Sequence, residues 1–132
     1  MLEVGALPVT SLLTAALIVQ LVILSLLVTA RRAVLGGIQF GDAEDVELRH
    51  RIRAHGNFIE IVPIVIIALG VMELAGAPRD LLWLLAGGFF AGRVLHAIRM
   101  FARSLWPGLI AIVSQHLICL YAGYWIFRHF LF

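Results

Sequence analysis

Residues 60–93, EIVPIVIIALGVMELAGAPRDLLWLLAGGFFAGR, decide whether this chain crosses a membrane twice or four times. They contain two apolar runs, Ile61–Met72 and Leu81–Gly92, of 12 residues each. Runs that short suit a buried helix or a re-entrant segment, because a helix needs ~20 residues to cross the hydrocarbon core. The runs are short only if Glu60 and Arg93 are kept out of the membrane. Admitting both lengthens the helices to about residues 46–75 and 79–101, and each then spans. Gly76-Ala77-Pro78 between them reads as a helix stop and a restart. So short a connector makes the two helices an antiparallel hairpin.

Outside this hairpin the reading is simpler. Val4–Ala30 has no Asp, Glu, Arg or His over 27 positions, and Ser104–Phe127 has only His116 over 24. Val4–Ala30 is read as a span and not a signal peptide, since Glu3 and no cation precedes it and the run is too long. The expected architecture is all-α and integral to the membrane. It is a single domain over residues 1–132 with spans near 4–30, 46–75, 79–101 and 104–127. Composition agrees, with 62% hydrophobic and 14% charged residues, where a soluble domain carries roughly a quarter charged. The lone Cys119 excludes an internal disulfide and lacks the neighbours of a metal site. Membrane lipids, not nucleic acid, are the expected surroundings.

Charge placement sets the orientation. All ten basic residues are arginines, from either a GC-rich genome or a need for planar, bidentate partners of carboxylates. Arg31, Arg32, Arg49, Arg51 and Arg53 lie between spans one and two, and Arg99 and Arg103 between spans three and four. The other side has Arg79 and Arg128. The positive-inside rule then puts both connections in the cytoplasm and both termini outside, as in a bacterial inner membrane protein.

Ionisable residues inside spans mark the candidate chemistry, since each costs at least ~2.5 kcal/mol unless partnered. Arg53, Asn57 and Glu60 are spaced by four and three, which places them on one helix face. Arg93, His96 and Met100 follow a similar spacing, with Arg103 nearly in line. If the stripes face one another, Glu60 neutralises Arg93, and Asn57 and His96 complete a polar pocket. One reading is a structural ion pair locking two helices. The other is a ligand site, because Arg31, Arg32, Arg53 and Arg93 gather towards an end where arginines outnumber acids. Such an excess suits an anion with more than one carboxylate, whose amine would meet Glu60. Arg31–Arg32 and Arg99–Arg103 are also suited to interfacial anchoring. Glu73 is expected to be interfacial and solvated. Gln115 with His116 is expected to make interhelical hydrogen bonds and not to bind metal, since no second ligand lies at i+4. The Trp and Tyr residues fit interfacial belts.

These residues resemble a known family. Arg51-Ile-Arg-Ala-His-Gly-Asn-Phe-Ile-Glu-Ile-Val-Pro63 is similar to the second-helix signature of the MAPEG family, the membrane-associated proteins in eicosanoid and glutathione metabolism. The matching positions are Arg53, Asn57, Glu60 and Pro63. Gly92-Arg93-Val-Leu-His96 resembles the third-helix segment, and Ala30-Arg31-Arg32-Ala33 the end of the first. The short loops and the His-Gly-Asn variant look most like the uncharacterised bacterial branch. The resemblance implies a homotrimer that holds glutathione between neighbouring subunits at the cytoplasmic end. Arg31, Arg53, Asn57, Glu60, Arg93 and His96 match the positions lining that site. Arginines would hold the tripeptide's carboxylates and Glu60 its amine.

The chain also departs from the family's transferases. Met100 stands where they carry Tyr, one turn after the His96 position, and Pro107 where they carry the Arg that stabilises the thiolate. Arg103, one turn before Pro107, is the candidate substitute, since a thiol of pKa ~8.5 needs a nearby cation or donor to ionise. The Ile61 position is often aromatic in relatives. Two functions follow from the resemblance: a glutathione transferase or peroxidase for small lipophilic electrophiles, or a non-enzymatic binder of lipid or a partner protein. A small proton-coupled drug transporter needs a carboxylate in the first span, where Val4–Ala30 has none.

Overall fold

The computed structural model describes residues 7–102 and 105–132. Four helices follow one another: α1 (Pro8–Val34), α2 (Val46–Leu74), α3 (Arg79–Ala102) and α4 (Leu105–Leu131). They contain 27, 29, 24 and 27 residues and are all apolar enough to cross a membrane. At ~1.5 Å per residue each exceeds the ~30 Å hydrocarbon core. The helices run up, down, up and down. α2 and α3 pack against each other along the middle of the bundle, α1 lies in the groove on one side of that pair, and α4 lies in the groove on the other.

The buried positions recur every three and four residues. Phe58, Val62, Val65, Leu69 and Met72 form the inner stripe of α2, and Gly108, Ala111, Gln115, Ile118 and Ala122 that of α4. This 3.5-residue period is the seam of left-handed helix packing. Small residues bring α3 and α4 close: a Cβ on Gly92 would sit 3.1 Å from the Ser114 hydroxyl. Large apolar side chains such as Leu12, Val19, Ile64, Leu84 and Leu120 cover the outer surface. Such a surface is stable only against acyl chains or another protein.

The helix ends follow from local sequence. Asp45 caps α2, its carboxylate accepting from the Leu48 N–H at 2.6 Å. α1 ends at Gly36, whose φ of +89° a residue with a Cβ rarely adopts. There Gly37 N–H donates to the Arg32 carbonyl and Gly36 N–H to that of Ala33. The same double bond pattern closes α2 at Gly76 (φ +80°), just before Pro78 opens the way to α3. Because α1 continues to Val34, Arg31 and Arg32 lie on its last turn. The N-terminus of α1 has no cap from its own chain neighbour Leu7. Glu73 supplies it, accepting from the Val9 and Thr10 N–H groups at 2.9 Å each. The expectation of a solvated Glu73 is therefore corrected: the carboxylate is half-buried and bound to the neighbouring helix.

Candidate functional site

Arg93 occupies the centre of the bundle and is only 2% exposed. α3 turns it inward on the same stripe as Phe89 and His96. Its Nη1 donates to Asn57 Oδ1 of α2 at 2.7 Å, and its Nη2 donates to Gln115 Oε1 of α4. Its backbone carbonyl accepts from Gln20 Nε2 of α1 at 3.0 Å. One residue thus ties all four helices together. The guanidinium carbon lies 5.6 Å from the Phe89 ring centroid, and the Nε has no hydrogen-bond partner among the described residues. His96, one turn further along α3, is also buried.

Glu60 is not paired with Arg93. It is exposed on the outside of α2, and among the described residues the ion pairs join only Arg31, Arg49 and Arg51 to Asp42, Asp45 and Glu47. The reason is rotational. At 100° per residue, Glu60 stands about 60° around the helix from Asn57, and only Asn57 lies at the edge that meets α3. Arg53 shares the outward side with Glu60 and is likewise exposed. The stripe of Arg53, Asn57 and Glu60 therefore has an inner edge bonded to Arg93 and an outer face that nothing in the described chain covers.

Arg31 belongs to a separate cluster, where α1 meets the start of α2. Its Nε and Nη2 donate in parallel to Asp45 Oδ1 and Oδ2 at 3.1 and 2.7 Å, while Nη1 lies 3.1 Å from Glu47 Oε2. Arg51 also pairs with Glu47, and its Nη1 donates to the Leu27 carbonyl at 2.7 Å. The Arg31 fork and the Leu48 N–H hold the Asp45 carboxyl down to about 2. Arg49 lowers Asp42 in the same way. His50 Nδ1 donates to the Met100 carbonyl at 3.0 Å, fastening the end of α3 to this cluster. The aliphatic stem of Arg99 packs over Gly108, where any Cβ would collide with it. Arg103 lies outside the described residues.

The structure brings Asn57, Arg93 and His96 together, leaves Arg53 and Glu60 on the outer face of α2, and engages Arg31 with acids of its own chain. Gln115 makes the expected interhelical bond. His116 does not: its Nδ1 bonds the Ile112 carbonyl of its own helix. Sequence reasoning passed over Gln20, the only amide in the uncharged stretch 4–30, and Asp45 and Glu47, two of the acids between the arginines of the first connection. An apolar groove of about 360 Å³ between α1 and α2, lined by Thr14, Leu17, Phe58, Val62, Pro63 and Ile66 among others, begins beside the polar stripe. Pro63 has no N–H, so the Ile59 carbonyl loses its usual helical donor there. Among the described residues no three His, Cys, Asp or Glu side chains converge as a metal site does.

The chain is similar to the inner membrane protein YecN of Escherichia coli K12 and to its counterpart in the O6:H1 strain CFT073. Each is 36% identical over 59 residues, a stretch covering 45% of this chain and 45% of the relative. The chain thus matches a little under half the length of these relatives. No solved structure matches it. With four spans and inner membrane relatives, the protein is an integral inner membrane protein. The family model for MAPEG matches residues 10–127, which reaches into all four helices, and the chain belongs to the MAPEG family.

Proposed function

We propose that this protein is a homotrimer that binds glutathione between neighbouring protomers, at the cytoplasmic end of the bundle, and transfers it to small lipophilic electrophiles or uses it to reduce lipid hydroperoxides. The observation that carries this reading is the outer face of α2. Arg53 and Glu60 stand exposed on a membrane-spanning helix with no partner among the described residues, an arrangement that acyl chains cannot solvate. A neighbouring protomer and a zwitterionic ligand would cover it. In this arrangement Arg53 and Asn57 hold a glutathione carboxylate, Glu60 meets its amine, and Arg93 and His96 stand behind Asn57. Arg31 from its cluster with Asp45 borders the same end. The apolar α1–α2 groove beside the stripe suits the tail of a lipophilic co-substrate.

A second reading is binding without turnover, favoured by Met100 and Pro107 at the positions where the family's transferases carry Tyr and Arg. Two measurements separate the readings. Purified oligomer should gain thermal stability with glutathione, by about 2.7 kcal/mol at a hundredfold excess over Kd. It should also conjugate a generic aryl halide or reduce a lipid hydroperoxide. Stabilisation without turnover selects the binder, and the absence of both rejects glutathione as the ligand.

A further inference from the structure

Arg93 is a permanent cation sealed inside a membrane bundle, where a charge without a counter-charge is costly. The usual remedy is a carboxylate. None of the four ion pairs among the described residues involves Arg93: Asp42, Asp45 and Glu47 of the first connection are engaged with Arg31, Arg49 and Arg51, Glu73 caps α1, and Glu60 faces outward. Among the described residues the guanidinium donates only to the neutral amide oxygens of Asn57 and Gln115, and its Nε–H finds no acceptor. A tether required only for strength would be better served by Glu at position 115, which has the same length and the same acceptor oxygen. The amide keeps the hydrogen bond and leaves the charge standing. Of the groups around Arg93, Asn57 borders the outward stripe of Arg53 and Glu60, so the charge lies directly behind that face.

We infer that Gln115 and Gln20 are positioning residues, neutral clamps that hold Arg93 as an un-neutralised cation behind the Asn57 face of α2, where its charge attracts the anionic ligand. Gln115 fixes the guanidinium, and Gln20 fixes the α3 backbone at the same residue. In a medium of low dielectric the attraction reaches beyond hydrogen-bond distance, so Arg93 acts on the ligand without touching it. The identity of the anion rests on the glutathione proposal, whereas the standing charge does not.

The test compares Gln115→Glu and Gln115→Met in the purified, detergent-solubilised protein, with glutathione as the probe. Gln115→Glu supplies the missing counter-charge. Its melting temperature without ligand should rise by several degrees, while glutathione affinity falls at least roughly tenfold. Gln115→Met removes the acceptor and leaves the cation, so stability should fall and affinity should fall less than in Gln115→Glu. A Gln115→Glu protein that is no more stable than wild type, or does not fold, overturns the inference whether or not glutathione binds. Equal loss of affinity in the two variants also overturns it, since it would make Gln115 merely structural. A stabilised Gln115→Glu in a protein whose wild type binds no glutathione supports the standing charge and rejects the ligand.

Discussion

Glu73 accepts two backbone hydrogen bonds from the first turn of α1 and so replaces the cap that Leu7 does not provide. Its negative charge also faces the positive end of the α1 dipole. Glu73→Ala should cost about 0.5–2 kcal/mol, the range for losing an N-cap, read as a lower melting temperature in detergent. Glu73→Gln keeps an acceptor oxygen without the charge and should fall between Ala and wild type. Arg93 is the opposite case, a residue whose charge and hydrogen bonds lie wholly inside the protein. Both lay in the sequence as ionisable residues inside spans. Asn57 was placed in the Arg93 pocket by its spacing. Gln115, Gln20 and the α1 terminus that Glu73 caps were not matched to their partners, because spacing along one helix says nothing about which neighbouring helix end or amide it meets. Arg53→Ala, by contrast, removes an exposed side chain. It should leave stability without ligand within about 0.5 kcal/mol of wild type and abolish the melting-temperature shift produced by glutathione.

Among the elements, the connection between α1 and α2 has the clearest pH dependence. The Arg31 fork and the Leu48 N–H hold the Asp45 carboxyl near 2, below its ordinary 3.8. A lowered folded-state pKa means that the pair's contribution is complete above about 3.8 and is lost as pH falls through about 2. The melting temperatures of wild type and Asp45→Asn should therefore differ above that window and converge within it, and added salt should narrow the difference. This clasp was half legible. The arginines were conspicuous, but Asp45 and Glu47 pass as ordinary loop acids until the chain turns back at Gly36 and places them beside Arg31. Gly76-Ala77-Pro78 was fully legible, because a glycine in the left-handed region followed by proline has few alternatives to a helix stop. α2 was legible as a span and misread as a face. Its polar stripe is wider than one contact, so Asn57 turns in while Glu60 turns out.

At the scale of the whole molecule, four long helices and an apolar exterior follow from composition and run length, and the MAPEG family model covers them from residue 10 to residue 127. The arrangement of those helices does not follow from composition. It rests on 3.5-residue seams of small and apolar side chains, joined at the centre by Arg93, Asn57, Gln115 and Gln20. What remains outside this bundle is the charged face of α2, and its exposure leads to the proposal of a trimer with the ligand between protomers. The most direct measurement is the structure of the purified oligomer with glutathione added. The proposal requires the α2 stripe to face a neighbouring protomer, with the tripeptide's carboxylate on Arg53 and its amine on Glu60. A stripe that faces lipid, or a filled protomer interface with no tripeptide against Arg53 and Glu60, would contradict it.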